Sequence, residues 1–474
     1  MARKYDRKEF LKLAFMANMG FCLSPLLSKK KFGSPDDSSY ENVIYYQKTD
    51  KEYDTLRKGF NKRIEKYPAI IALCKNAQGI AEAIKYAKEK NLPVAVKSGG
   101  HSMEGFSCNN GGMVINLSLM DKIGWIDDET IKVQPACTLA ELYEFLLEKN
   151  KIIAGGSCGD VGIAGLVLGG GYGILSRKLG LTCDSLMEVT MIDGKGRIRN
   201  SNHEKHLLWA CKGGANGNFG VVSEFIFKVH PSPETMQSVS FKASKLNVHR
   251  TKSILKEWFL VTKTLPDHCF CSFILNGNEL EILLIATEQV DKGLQDSINK
   301  IAAVTDTAVK ALPQPTAKAF KALYGIQHPV RFKNACAGFY KSFEDLEPSI
   351  DELLAIVVST PNMIFQVNTL GGEIQNIDAE KKAAFPHRAY SYISELQTYW
   401  DEKKDEKPLI KKFELVQQAL EKAKIKAQYC NYPDINFKNY PALYYGANYK
   451  KLQKIKNKYD PDNLIRHEQS IINS

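Results

Sequence analysis

From about Tyr67 onward, short apolar runs alternate with amphipathic stretches. "AIIALC" (69–74) has the length of a buried strand, and "AQGIAEAIKYAKEKN" reads as a helix whose Lys and Glu side chains form a solvated face. "PVAVKSGG" (93–100) reads as a strand that ends in glycines, followed by "GMVINLS" and "TIKVQPA". "TLAELYEFLLEKN" predicts a helix that opens on a capping box, Thr138 with Glu141 three residues on. "MEVTMIDGKGRIRNS" (187–201) predicts a hairpin turning at Asp193-Gly194, and "FGVVSEFIFKVHP" (219–231) a long strand closed by proline.

The texture changes after Pro231. "TMQSVSFKA", "CFCSFILNG", "LEILLIATE", "MIFQVNTLGG" and "YSYISELQTYW" are strand-like and are joined by polar helices such as "VDKGLQDSINKIAAV". This pattern predicts an α+β protein with a first domain over 60–232 and a second over 233–425. The second is an antiparallel sheet with helices on one side. A tail over 426–474 contains an amphipathic helix stopped by Asp-Pro.

Composition narrows the picture. At 474 residues the chain exceeds one ordinary core, and 44% hydrophobic with 25% charged residues is ordinary for a globular protein. The net charge of +11 is front-loaded, because residues 1–31 hold eight Lys/Arg against two Asp/Glu. No basic stripe interleaved with aromatics follows, which argues against a nucleic-acid partner. Residues 1–35 resemble an export signal: a basic start, an apolar stretch from Leu13 to Leu27, and a basic stop. Arg7-Lys8 stands where a twin-arginine signal has two arginines. The expectation is export to a periplasmic or extracellular location, with an amphipathic N-terminal helix or membrane-surface anchor on an otherwise cytoplasmic protein as the alternative. The stretch is too short for a stable membrane span. Oligomeric state is not indicated. The eleven cysteines lack CxxC pairs, so a zinc site is not expected and most should be small core residues.

Candidate chemistry gathers in three glycine-rich loops: "KSGGHSMEG", "GGSCGDVGIAGLVLGGGYG" and "ACKGGANGNFGVV". One His and one Cys stand in the first two. Three arrangements could explain them: a metal site, a nucleophile with its base, or two anchor points on one bound molecule. No further metal ligand lies nearby, and nothing marks an orienting residue or an oxyanion hole. Gly99 and Gly100 end a strand where consecutive amides can cradle an anion. Several such loops in one domain suit a long diphosphate ligand. The spacing is not the dinucleotide-binding G-x-G-x-x-G.

Together with "NYPDINF" and "YYGANYKKLQKIKNKYDPDNLIRHEQSI", these loops resemble the berberine-bridge-enzyme-like FAD-linked oxidases of the vanillyl-alcohol-oxidase superfamily. The resemblance runs from about residue 60 to the end. It implies a two-subdomain, cresol-hydroxylase-type (PCMH-type) FAD domain, a substrate domain, and a C-terminal segment returning to the first. It further implies FAD bonded covalently through His101 to the 8α-methyl and through Cys158 to carbon 6 of the ring. Some relatives keep only the His bond, which leaves Cys158 open. The implied cofactor contacts are Lys97, Ser98, Gly99, Gly100, His101 and Ser102 in the first loop. Cys158, Gly162, Gly165, Gly171, Tyr172 and Gly173 follow in the second, Gly220 and Val222 in the third, and Asn431 near the C-terminus.

For catalysis the resemblance implies a base that takes the substrate's hydroxyl proton. Sugar-oxidising relatives use the tyrosine of an "N-Y-x-D" stretch, here Tyr432. Berberine-type relatives use a glutamate, for which Glu395 is the counterpart. Tyr432 would need a cationic or donating neighbour to ionise. Gln366 and Asn368 share one strand face, as do Glu395 and Gln397, which suits hydrogen bonding to a polyol. Asn368 stands where those relatives usually carry Asp. "FPHR" (385–388) reads as structural. The expected function is oxidation of a sugar or other alcohol by hydride transfer to the flavin, with dioxygen reduced to hydrogen peroxide. A specialised alcohol or amine, or a non-oxygen acceptor, is the alternative.

Overall fold

The first apolar runs assemble into a small mixed sheet. The computed structural model of the protein describes residues 42–326 and 328–474, so the export-signal-like segment over 1–35 lies outside the described residues. Strands β1 (Val43–Tyr46), β2 (Ile70–Cys74), β3 (Val94–Lys97) and β4 (Met113–Asn116) lie in the order β1-β2-β4-β3. β2 and β3 run parallel to β4, whereas β1 is antiparallel to β2. Every residue of β2 and β4 is buried, as expected for parallel strands covered on both faces. The helix Ala77–Glu89 covers one face with Ile80, Ala83, Ile84 and Ala87.

Next come β5 (Ile123–Trp125), β6 (Thr130–Val133), β7 (Lys151–Ile152), β8 (Leu186–Asp193), β9 (Ile198–Asn200), β10 (Gly220–Lys228) and β11 (His230–Pro231). Five of these make an antiparallel sheet in the order β5-β6-β10-β8-β9, and β7 pairs with β11. The helix Leu139–Leu147 starts on the predicted capping box, Thr138 and Glu141 each accepting the other's backbone N–H. The predicted hairpin is β8–β9; the Asp193 carboxylate accepts the amides of Lys195 and Arg197 and so closes its turn. These two sheets are the two expected subdomains.

The third sheet contains β12 (Thr235–Ala243), β13 (Cys269–Asn276), β14 (Glu279–Ala286), β15 (Thr307–Lys310), β16 (Gln314–Pro315), β17 (Arg331–Tyr340), β18 (Met363–Thr369) and β19 (Tyr392–Trp400). Its order is β15-β12-β14-β13-β18-β19-β17, with β16 beside β12. The period of two along each strand separates its faces. Phe273, Leu275, Phe365, Val367 and Leu396 pack under the helices Val248–Thr262, Ile350–Val358 and Lys403–Lys422. The opposite face carries Ser272, Gln366, Asn368, Glu395 and Gln397 towards the first two sheets. Sequence reading missed β1 and β17; "RFKNACAGFY" breaks its apolar alternation with buried Lys333 and Asn334, and a bulge at Cys336–Gly338 shifts its register.

The C-terminal segment ties these units together. In the helix Tyr449–Tyr459, the buried Lys456 ammonium donates to the Asn218 and Ile465 carbonyls and pairs with Asp460 at 2.6 Å. Farther in, four charges from four segments meet. Lys333 on β17 bonds Glu104 and, at 2.8 Å, Asp434, while Arg63 reaches the other Glu104 oxygen at 2.7 Å. The Lys333, Glu104 and Asp434 side chains are each no more than 3% exposed. Removing one partner strands an uncompensated charge in the interior. Lys333→Met should therefore cost about 3–5 kcal/mol in urea denaturation, and adding Asp434→Asn should recover part of that loss.

Candidate functional site

The glycines at the end of β3 permit a backbone-to-backbone contact that any side chain would prevent. A Cβ on Gly99 would lie 2.5 Å from the Gly162 nitrogen, and one on Gly162 would lie 2.7 Å from the Gly99 nitrogen. This contact sets the loop bearing His101 against the loop bearing Cys158. Both face a cavity of about 520 Å³ between the first two sheets and the polar face of the third.

His101 stacks on Phe60, ring centroids 4.2 Å apart and planes at 22°, and its Nε2 stands 3.2 Å from an Asp160 carboxylate oxygen. Cys158 opens onto the cavity but is surrounded by protein. That enclosure, with the negative charges of Asp160 and Glu395, pushes its thiol up to about 12. At the opposite end Phe106 stacks on His467 at 4.5 Å. Burial pushes the His467 imidazole down to about 4, so it is neutral at ordinary pH.

Ser98, Gly99, Gly100, Ser102, Gly162, Gly165, Tyr172, Gly173, Gly220, Val222 and Asn431 also line this cavity. Lys97 and Gly171 do not. The Lys97 ammonium turns behind the loop to the Leu56 and Lys58 carbonyls, and burial pushes it down to about 8. The Gly171 amide donates to the Tyr429 hydroxyl at 2.9 Å. Asn431 donates to the Leu166 carbonyl at 3.0 Å and to Tyr429 at 2.8 Å, which orients the turn carrying Tyr432.

The roof is an array of polar side chains in register. Gln366 faces Glu395 across β18–β19, and Asn368 faces Ser272 across β13–β18. The Asn368 carbonyl oxygen accepts from Ser272 at 2.6 Å and from Gln366 at 2.9 Å, and its amide donates to the Tyr172 hydroxyl at 3.0 Å. Tyr172 and Tyr432 hydroxyls are 3.1 Å apart. An amide N–H can only donate, so Tyr172 accepts from Asn368, while either hydroxyl can be the donor between Tyr172 and Tyr432. Burial and the adjacent Glu395 charge push the Tyr432 phenol well above its ordinary range. Glu395 accepts from Asn334 at 2.9 Å, and burial pushes its carboxyl up to about 7.

The FAD binding domain family model matches residues 68–202, and the berberine and berberine-like family model matches residues 428–472. The uncharacterised FAD-linked oxidoreductase YgaK of Bacillus subtilis is 31% identical over 437 residues, 89% of this chain and 95% of its own. The chain belongs to the berberine bridge enzyme-like FAD-linked oxidoreductases. The chitooligosaccharide oxidase of Gibberella zeae is 26% identical to this oxidoreductase across 87% of the chain and 89% of its own. A xylooligosaccharide oxidase from Myceliophthora thermophila C1, solved with xylobiose, shares the fold. Its TM-score is 0.81 at 20% identity, covering 91% of this chain and 97% of that one.

The cavity suits the family's cofactor. A Cβ on Gly165 or Gly217, both on the cavity wall, would meet nothing within 4 Å, so any side chain there would enter the cradle. Among the described residues, the amides of Gly99, Gly100 and His101 donate to no protein acceptor, as a diphosphate cradle requires. FAD would lie against these loops, beneath the roof.

Sequence reading passed over Phe60, Glu104, Asp160, Lys333, Asn334 and Tyr399. Asp160 and Glu104 lie within its quoted motifs, two residues after Cys158 and three after His101. Phe60, Lys333, Asn334 and Tyr399 reach the site or its support only through packing. Arg388 of "FPHR" is structural as expected, forming a bidentate pair with Asp184 at 2.6 and 3.0 Å.

Glu395 also makes stability pH-dependent. The folded protein holds its proton up to about 7, while an unperturbed glutamate releases it near 4.5. Folding therefore binds the proton between those values, and this group's contribution to stability falls as pH rises through that window. The gap corresponds to about 3 kcal/mol. Relative to wild type, Glu395→Gln should gain up to that amount in urea denaturation at pH 8 compared with pH 4.5.

Proposed function

We propose that this oxidoreductase oxidises an alcohol group of a sugar or related polyol, with Glu395 as the general base and Tyr432 as a hydrogen-bond donor to the reacting oxygen. When bound, FAD supplies the hydride acceptor and a two-electron route to dioxygen, released as hydrogen peroxide. His101 and Cys158 are the residues that would hold it covalently. Two anchors would keep the ring in place beneath a pocket open enough for an oligosaccharide. The carbohydrate oxidases among its relatives support this substrate class.

The observation that carries the reading is the meeting in one cavity of a buried Glu395 carboxyl pushed to about 7 and a Tyr432 phenol pushed well above its ordinary range. The phenol therefore keeps its proton at neutral pH, which suits it to donate a hydrogen bond to the substrate. Glu395 has the matching property, since a carboxyl pushed to about 7 is partly ionised at neutral pH yet basic enough to take a hydroxyl proton. Gln366, Asn368, Gln397 and Asn334 supply the amides a polyol needs.

The test is a sugar panel with peroxide detection, followed by stopped-flow bleaching of the flavin. Glu395→Gln should slow bleaching by about 10²–10⁴-fold, the usual worth of a general base. Tyr432→Phe should cost about tenfold, the worth of one hydrogen bond. A large loss in Tyr432→Phe with a small loss in Glu395→Gln would transfer the base role to the tyrosine. The wild-type bleaching rate should rise with pH and level off above about 7, as Glu395 loses its proton.

A further inference from the structure

A carboxylate beside His101 has no role in the reading above. Asp160 follows Cys158 by two residues, and its Oδ2 stands 3.2 Å from His101 Nε2. Its Oδ1 is buried and meets no hydrogen-bond partner. Phe60, stacked at 4.2 Å, fixes the plane of the imidazole while Asp160 addresses one of its nitrogens. The other nitrogen, Nδ1, has no protein partner among the described residues.

We propose that Asp160 is the positioning residue for attachment of the flavin at His101: it draws the ring proton to Nε2, leaving Nδ1 with the lone pair that bonds the cofactor, and offsets the positive charge the ring gains as that bond forms. The inference rests on the covalent reading of His101. In the step, the Nδ1 lone pair forms a bond to the 8α carbon of FAD, and that carbon releases one proton. The electron pair of its C–H bond enters the ring system, so the attached flavin is two-electron reduced. The imidazole releases its Nε2 proton to Asp160 and returns to neutrality. Dioxygen then takes up two electrons and two protons and leaves as hydrogen peroxide, restoring the oxidised cofactor. A carboxylate on the far nitrogen of a histidine sets tautomer and stabilises imidazolium in the same way in other catalytic sites.

The same charge acts in the opposite sense on Cys158. A nearby carboxylate disfavours the thiolate, and Asp160 is one cause of that thiol's upward shift. One residue between the two anchors therefore favours the histidine bond and slows the cysteine bond.

Acid precipitation of the purified holoprotein separates bound from released flavin by colour. Wild type and Cys158→Ala should keep the flavin in the pellet. In Cys158→Ala/Asp160→Ala, where His101 is the remaining anchor, pellet flavin should fall at least tenfold. In His101→Ala/Asp160→Ala, where Cys158 is the remaining anchor, it should stay at or rise above the His101→Ala level, which also shows that the variant folds and binds FAD. Full retention in Cys158→Ala/Asp160→Ala would overturn the role of Asp160. Loss from both backgrounds would also overturn it, because Asp160 would then serve the fold rather than one bond. Release from wild type would instead overturn the covalent reading itself, a separate and visible result.

Discussion

The buried ion cluster of Arg63, Glu104, Lys333 and Asp434 is the constraint on which the rest of the site depends. Glu104 follows His101 by three residues, Lys333 precedes Asn334 on β17, and Asp434 follows Tyr432 by two. Each charge therefore sits one short step from a cavity residue. Two positive and two negative groups balance, so the cluster is tolerable in the interior only when all four segments are in register. Its geometry couples the histidine loop, the roof and the C-terminal turn, which together span more than three hundred residues of sequence. Backbone contact between Gly99 and Gly162 adds the cysteine loop to the same assembly.

Within that frame the cavity is shaped by asymmetry. Its floor and walls are glycine loops whose missing side chains leave amides and space. Its roof is a polar strand face that includes the amides of Asn334, Gln366, Asn368 and Gln397 and the carboxylate of Glu395. Low polarizability around buried Glu395 and Tyr432 raises both groups, but with different consequences. The carboxyl moves into the neutral range, where it can exchange a proton, while the phenol moves farther from it. Burial and the charge of Glu395 thus move the two candidate acid–base groups to different ranges, which supports the proposed division into a base and a donor.

Much of the site was legible because it is carried by local motifs. His101, Cys158 and the glycines around them are close in sequence to the turns they build, and the roof pairs Gln366/Asn368 and Glu395/Gln397 obey the strand period. The partners that tune these residues were not legible. Phe60 reaches His101, Asn334 reaches Glu395 and Lys333 reaches Asp434 only across the fold, and no periodicity encodes those meetings. Lys97 illustrates the converse, since it sits in the motif but its ammonium turns away from the cavity towards two carbonyls.

The sequence by itself determined most of the elements, the separation of polar and apolar strand faces and, through its resemblance to a family, the cofactor class. Period, capping and glycine placement are local properties, and hydrophobic patterning decides which face is buried. Only the tertiary structure decided the contact of Tyr432 with Tyr172, the raised affinity of Glu395 for its proton, and the pairing of Asp160 with His101. Those depend on burial and on which distant groups arrive beside each atom, and a chain acquires both only on folding.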